Sequence, residues 1–392
     1  MKINYKIHSP DTPLEEREFG YPVRHKQKMP FAPKIEATPE VGQWNIDIFR
    51  LDSELGQFIL TAGDYFDLII EAISSNIHLS TQMEGNPLTL NEVRRLTKRT
   101  FKEGIPEEKY EFSMQEIQNH IGIYVMGIDK GPWDISFIKK VHEFLLFGDK
   151  SSKPGVFRNN FRSVYSSEGE ELFITCPPGH IENEMKGLMY WLRTTGPGYY
   201  PVISGALLLH EFESIHPFGD GNGLTGRTLF HLYLHAHGLP NSKLCFIEQE
   251  IVSDAERYYD ILARADFYQN YEELIIHFTR SVKESYQKAV KKYKEKDLLS
   301  KNLDEISKHL LVKAKTLGNE FTLKDTRKWF DNISDFQIRK RLNELVEIDA
   351  IWDNGETKGK TYQFADPMRH LMGSTDRLKK VFNEENQSRD KE

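Results

Sequence analysis

The chain has 392 residues, of which 39% are hydrophobic, 28% charged and 12% aromatic, a balance that excludes a disordered chain or a small disulfide scaffold and leaves room for two or three domains. Its 52 Lys plus Arg against 59 Asp plus Glu give a net charge of −7, so there is no global basic field for nucleic acid and any such contact must be local. The two cysteines, Cys176 and Cys245, are too far apart for a zinc pair and are expected as reduced core residues; without a long apolar run or an apolar leader, the expected location is cytoplasmic.

In chain order, residues 1–50 carry Pro10, Pro13, Pro22, Pro30, Pro33 and Pro39 with few periodic apolar positions, which predicts an extended arm. From Phe49 the apolar spacing becomes helical (Phe66, Leu68, Ile69, Ala72, Ile73, Ile77) up to a break at Gly85-Asn86-Pro87. Thr89 with Glu92 forms a capping box ahead of Val93 and Leu96, and helical patterns recur at 110–127 and 133–147, so 51–125 reads as an N-terminal helical region and 126–290 as a core. Between 153 and 178, Pro154-Gly155 punctuates the chain, and Val164-Tyr165 and Leu172-Phe173-Ile174 flank 166–169 as a short hairpin. Helices are predicted at 181–194, 201–215, 224–237 and 253–290. The Lys- and Glu-rich stretch 285–302 reads as a solvated helix or linker, with the linker proper at 291–302. Short helices at 303–312, 322–330 and 334–345, with strands at 351–352 and 362–364 around Asn354-Gly355, outline a winged helix-turn-helix over 303–365. A polar tail, 366–392, follows. The fold class is mainly α.

Chemistry concentrates in His216-Pro217-Phe218-Gly219-Asp220-Gly221-Asn222-Gly223-Leu224-Thr225-Gly226-Arg227, between one apolar helix (Ile203, Leu207, Leu208, Phe212, Ile215) and another (Leu229, Phe230, Leu232, Tyr233). Glycines that open onto a helix N-terminus expose unpaired N–H groups and the positive end of the helix dipole, which is where phosphates bind. His216 at the lip is suited to taking a proton from a hydroxyl, Asp220 to holding Mg²⁺ against phosphates, and Arg227 to gripping a phosphate with its guanidinium fork. Together they make a phosphate-transfer site.

This segment resembles the signature of the Fic (filamentation induced by cAMP) family, H-P-F-x-D/E-G-N-G-R-x-x-R, at His216, Pro217, Phe218, Asp220, Gly221, Asn222, Gly223 and Arg227, and the likeness extends over about residues 50–290. It implies a Fic-fold helical core with a β-hairpin flap, and an enzyme that moves AMP from ATP, with Mg²⁺, to a Ser, Thr or Tyr hydroxyl of a protein, itself among the candidate targets. The resemblance makes His216 the base and Asp220 the Mg²⁺ ligand, and places ATP on Gly221, Asn222, Gly223, Gly226 and Arg227, with Phe218 anchoring the loop. Gly155, Phe157, Arg158, Val164 and Pro177-Pro178 look like the flap that clamps an extended target segment. Tyr258-Tyr259, Leu262 and Ala263 resemble the helix bordering the adenine pocket. One position departs: Leu224 stands where most members have an Arg that helps hold the β-phosphate. Since Leu224 is three residues before Arg227, Leu224→Arg is expected to tighten ATP.

A second stretch, Ser80-Thr81-Gln82-Met83-Glu84-Gly85-Asn86, matches the family's inhibitory pattern S/T-x-x-x-E-G/N. Ser80 and Glu84 share a helix face, so a glutamate delivered there is expected to pair with Arg227 and occupy the γ-phosphate region. In the C-terminal module, residues 301–365 hold 12 Lys plus Arg and 11 Asp plus Glu, weak for a DNA binder. The patch Arg339-Lys340-Arg341, with Gln337 and Asn343, is a candidate nucleic-acid contact, and a protein-docking face is the other reading. The alternatives to AMP transfer are another Fic-type phosphotransfer, removal of AMP, and a DNA-binding regulator with a weakly active Fic site.

Overall fold

The computed structural model describes residues 22–25, 31–33, 35, 37–103, 111–126, 131–149, 153–165, 169–301, 303–330 and 332–365. The tail at 366–392, the hairpin tip at 166–168 and most of the arm at 1–50 lie outside the described residues. Part of the arm is a helix, contrary to expectation: α1 spans Pro39–Gln57, with Thr38 accepting from the Val41 N–H at 3.3 Å. Pro39 argued for an extended arm, yet it occupies the first turn, where a missing N–H has no partner to lose.

A short break separates α1 from α2 (Ala62–Met83), which Thr61 caps and which ends at Glu84, with Gly85 at φ +89° turning the chain away. The Thr89–Glu92 capping box opens α3 (Leu90–Glu103), the Thr89 N–H donating to Glu92 Oε2 at 2.8 Å. Then come α4 (Phe112–Met126) and α5 (Ile135–Leu145). The hairpin is β2 (Ser163–Tyr165) with β3 (Glu171–Ile174), and an unexpected strand, β1 (Val23–Arg24), joins β3 in parallel to give the order β1-β3-β2. Two residues were too few to leave a periodic signal.

The remaining helices are α6 (Ile181–Thr194), α7 (Pro201–Ile215), α8 (Asn222–Ala236), α9 (Ile247–Ile251), α10 (Ala255–Tyr268) and α11 (Glu272–Lys296). Where one helix was expected over 253–290, Gln269 in the left-handed region (φ 53°) ends α10. The stretch from 285 is not a fully solvated linker: α11 runs on to Lys296 and buries Tyr286, Ala289, Val290 and Tyr293 as it packs along α1. α7 is buried on nearly every face at the centre of one large apolar core, with α8 beside it. Among the described residues no helix is long and apolar enough to cross a membrane. Cys176 and Cys245 are buried and unbridged.

The C-terminal block has its own core, including Leu310, Leu311, Phe321, Ile338, Leu342, Ile351 and Tyr362. Its order is α12 (Glu305–Leu317), β4 (Phe321–Thr322), α13 (Leu323–Thr326), α14 (Asp335–Glu347), β5 (Ile351–Asp353) and β6 (Thr361–Phe364), with sheet order β4-β6-β5. The middle helix, expected over 322–330, is a single turn that follows a capping box of Thr322 and Asp325. The block grips the α1–α2 junction: Ile59 enters its core, Lys315 Nζ donates to the Gly56 and Phe58 carbonyls at 2.7 and 2.5 Å, and the Ala62 N–H donates to Asp349 O at 2.8 Å.

Candidate active site

α7 ends abruptly because His216 adopts the left-handed region (φ 53°), its N–H still bonded to Phe212 O at 2.9 Å. A non-glycine residue there is strained and must be held by its surroundings. Arg158, 7% exposed, does this from the flap: Nε donates to His216 O at 2.6 Å, Nη2 to Cys176 O, Thr175 Oγ1 and Ile215 O, and Nη1 to Asn160 O. Its N–H donates to Pro217 O at 2.9 Å. Phe218, fully buried, stacks on the His142 ring at 3.6 Å.

Asn222 staples the loop. Its Nδ2 donates to Phe218 O at 3.0 Å while its Oδ1 accepts from the Phe218 N–H at 2.9 Å, and the residue is 1% exposed. Both ends of the carboxamide are thus engaged with the Phe218 backbone, which closes the loop on itself. Gly221 (φ 65°) starts α8, and a Cβ there would lie 2.7 Å from Leu146. His142 accepts the Gly155 N–H on Nδ1 and therefore donates from Nε2 to Asp220 O at 2.9 Å. Burial lowers its pKa to about 4, keeping it neutral.

Beside this loop is an open cleft of about 800 Å³, roofed by Val164, Leu172 and Phe173 of the hairpin. His216 lines it. Its Nδ1 sits 3.3 Å from Glu213 O; a carbonyl only accepts, so Nδ1 carries the proton and Nε2 keeps its lone pair. Burial lowers the imidazole pKa to about 4, so the ring is an unprotonated base at neutral pH.

Arg227, one turn into α8 and 1% exposed, meets both residues of the second motif. Nε donates to Ser80 Oγ at 2.9 Å, and Nη2 donates to Ser80 O and Glu84 Oε1, each at 2.8 Å. Burial disfavours its charge, but Glu84 and the other acidic groups around it raise its pKa above the usual guanidinium value. A Cβ at Gly223 would meet Glu84 Oε1 and Arg227 Nη1, so a side chain there would push that ion pair aside. Gly226 serves packing instead, since a Cβ there would press on Phe212 at 3.2 Å.

Two residues depart from expectation. Leu224 is fully buried in the apolar core, so it does not share a phosphate-facing surface with Arg227; α8 is enclosed on nearly all sides. Tyr258 is also fully buried, and its hydroxyl donates to Glu213 Oε1 at 3.0 Å, whereas Tyr259, 40% exposed, lines the cleft with Leu262 and Ala263. Glu213 went unnoticed in the sequence. Its carboxylate lies 3.9 Å from Arg227 Nη1, and burial raises its pKa to about 7 against the opposing pull of Arg227 and Tyr258. It sits three residues before His216 inside an apolar run, where the sequence offers only one more helical polar residue.

Asp220 is exposed on the loop, outside the residues lining the cleft, with Oδ1 accepting from the Gly221 N–H at 2.8 Å. Burial, together with the charges of Glu84, Asp220 and Asp149, raises the pKa of Glu116, which accepts from Asn86 Nδ2 at 2.6 Å. An exposed carboxylate in so acidic a neighbourhood suits a hard divalent cation.

The Fic/DOC family model matches residues 132–234, which contain the whole loop. A Fido domain-containing protein of Dictyostelium discoideum is 38% identical over 118 residues, spanning 29% of this chain and 73% of that one. A protein adenylyltransferase Fic of Nematostella vectensis is 25% identical over 202 residues, and one of Drosophila virilis 29% identical over 174; this chain spans 44% and 34% of their lengths. A crystal structure of a Fic family protein from Desulfovibrio desulfuricans superposes with a TM-score of 0.57 over 85% of this chain and 98% of that one, at 22% identity, which establishes a shared fold.

Proposed function

From the premise that the chain belongs to the Fic/DOC family, we propose that it is a self-inhibited protein adenylyltransferase, moving AMP from ATP to a Ser, Thr or Tyr hydroxyl of a protein. One observation carries the reading: a neutral imidazole, the start of α8 and a buried guanidinium converge on one cleft, and a glutamate from α2 already holds that guanidinium. His216 Nε2 takes the proton of the target hydroxyl as its oxygen bonds to the α-phosphorus and the bond to the diphosphate breaks. The first amides of α8 receive phosphate oxygens, Arg227 receives the terminal phosphate, and the adenine lies along Tyr259, Leu262 and Ala263. Asp220 would hold a Mg²⁺ brought with the phosphates, and that ion would supply neutralising charge for the diphosphate. The target segment adds to the edge of β2, because β1 already covers the other edge of β3.

Glu84 and the γ-phosphate compete for one guanidinium. While Glu84 holds it, nucleotide binds without that contact and its α-phosphate is poorly aligned for the attacking hydroxyl. We read the C-terminal block as a winged helix that docks on protein, since its 12 Lys plus Arg are nearly matched by 11 Asp plus Glu over 301–365.

The test is to incubate full-length protein with Mg²⁺ and ATP labelled in the α-phosphate, alone and with a lysate, using wild type, Glu84→Gly and His216→Ala. Acceptors should gain one adenylyl group by mass, most with Glu84→Gly and none with His216→Ala. Transfer of a different fragment of the nucleotide, or release of AMP from a pre-modified acceptor as the main reaction, would overturn the assignment.

A further inference from the structure

Arg227 reaches the cleft from α8 and is gripped from one side only. α2 supplies Ser80 and Glu84 to its Nε and Nη2, whereas Nη1 makes no hydrogen bond among the described residues. The carboxylate next to Nη1 is Glu213 of α7, with Oε1 at 3.9 Å. Glu84 and Glu213 are the two carboxylates within 4.0 Å of the guanidinium among the described residues. Glu248 also favours the arginine's charge, but its Oε1 is engaged with His231 Nε2 at 3.0 Å.

Glu213 is held in place. Its side chain is 13% exposed, and the hydroxyl of Tyr258, a fully buried residue of α10, donates to its Oε1 at 3.0 Å. A carboxylate anchored in this way, about 1 Å short of hydrogen-bond distance from a buried guanidinium, is a contact prepared but not made. Burial holds the Glu213 pKa up at about 7 against the pull of Arg227 and Tyr258; Glu84 adds to the rise and His210 opposes it. Withdrawal of Glu84 therefore favours the charged carboxylate at Glu213. It also leaves a buried guanidinium that is costly unless another carboxylate takes it.

We propose that Glu213 is a positioning residue: once Glu84 leaves, it takes Arg227 Nη1 and holds the guanidinium with its Nη2 edge available to the terminal phosphate of the nucleotide. This rests on the reading of Arg227 as the group that receives that phosphate. Two carboxylates then act in opposite senses on one side chain. Glu84 occupies the N–H that the phosphate needs, whereas Glu213 occupies one that it does not need and keeps the guanidinium plane from turning.

The experiment titrates ATP and ADP, each with Mg²⁺, in calorimetry into the full chain carrying His216→Ala, so that no AMP is transferred meanwhile. It compares Glu84→Gly with Glu84→Gly plus Glu213→Gln. Glutamine keeps the acceptor for Tyr258 and loses the charge. The added change should weaken ATP about tenfold and leave ADP, which lacks the terminal phosphate, within about twofold. A merely structural loss would weaken both nucleotides. Tyr258→Phe in place of Glu213→Gln unties the carboxylate and should weaken ATP with the same selectivity but by less; if Glu213→Gln does not fold in a thermal melt, this variant decides alone. The proposal falls if ATP affinity is unchanged, or if ATP and ADP weaken together. It also falls if ATP binds more tightly, the mark of a carboxylate that only repels the triphosphate. Self-inhibition is judged separately, by whether Glu84→Gly binds ATP more tightly than the protein with Glu84 in place.

Discussion

The α7–α8 loop and the C-terminal block manage their charges in opposite ways. Around the loop, polar side chains are buried and paired across long stretches of chain: Arg227 with Ser80 and Glu84, Arg158 with the carbonyls of Ile215 and His216, Asn76 with Cys245. In the C-terminal block most partners are local and exposed, as in the Thr322–Asp325 and Ser334–Gln337 capping boxes and the Arg341–Glu344 pair three residues apart. Buried long-range pairs hold a few atoms in one geometry and are expensive to break; exposed local pairs shape helix ends and contribute little each. Substitutions should therefore act strongly and specifically in the first region and weakly in the second.

The largest effect belongs to His216→Ala. The imidazole lines an open cleft and is half-buried, so the fold should persist while transfer falls about 10²- to 10⁴-fold, as general-base removal typically does. The checks are label transfer and a thermal melt on the same sample; a folded mutant with wild-type activity would strip the loop of its catalytic reading.

Leu224→Arg comes next, and burial reverses its sign. A guanidinium forced into the fully buried Leu224 position, without a partner, should destabilise by about 3–5 kcal/mol, seen as a large loss of melting temperature and of soluble protein. Tighter ATP binding at unchanged stability would mean that α8 is not enclosed as described. The sequence misled here because three-residue spacing places two side chains near each other on a helix but does not say what surrounds them. The same limit hid the Glu213–Tyr258 bond and the clamp made by Arg158, both of which depend on elements distant in the chain. What was legible was local: the helical periodicity of the core, the Thr89–Glu92 cap, the hairpin, and a loop whose residues lie in twelve consecutive positions. The Ser80–Glu84 pair was legible as a spacing, and its arrival at Arg227 followed only from family likeness, since 143 residues separate Glu84 from the arginine.

Glu84→Gly should raise adenylylation, by up to about a hundredfold if misalignment of the α-phosphate is the whole of the inhibition. Freed from Glu84, Arg227 keeps its bonds to Ser80 and has Glu213 nearby, so the mutant should remain folded. The gain should need ATP rather than ADP, and Arg227→Ala should not share it. Equal rates for wild type and Glu84→Gly across ATP concentrations would end the self-inhibition reading.

Acid should loosen the large core in a graded way. Burial lowers the pKa of His120 to about 3 and of His142 and His277 to about 4, so the folded state leaves them neutral while the unfolded chain protonates them below about 6.5. The unfolded state then binds more protons, and each such ring costs about 1.4 kcal/mol of stability per pH unit as pH falls from 6.5 toward 4. Glu213 acts oppositely: its raised pKa of about 7 gives stability that is present below 4.5 and lost as pH rises to 7. Three rings outweigh one carboxyl, so melting temperature should drop between pH 6.5 and 4.5. His216, neutral down to about pH 4, should keep its role as base until the fold gives way. Scans of melting temperature and rate against pH check both halves.

The smallest effect is expected on α14. Arg341 Nε lies 2.7 Å from Asp304 and its Nη1 2.9 Å from Glu344, and Arg327 is paired with Asp335, so Arg339 and Lys340 are the cations that α14 leaves to solvent. Phe336, 78% exposed on the same helix, has the character of a protein contact. Arg339→Ala with Lys340→Ala should leave stability within about 0.5 kcal/mol and self-adenylylation unchanged. Each phosphate neutralised contributes about −0.9 to the slope of log affinity against log salt, so two free cations predict a slope near −2 with duplex DNA, against −6 or steeper for a recognition helix backed by a basic face. Fluorescence anisotropy over a range of salt concentrations measures it. A steep slope lost in the double variant would restore the DNA-binding reading and would show that the acidic partners of Arg341 and Arg327 give way to phosphate.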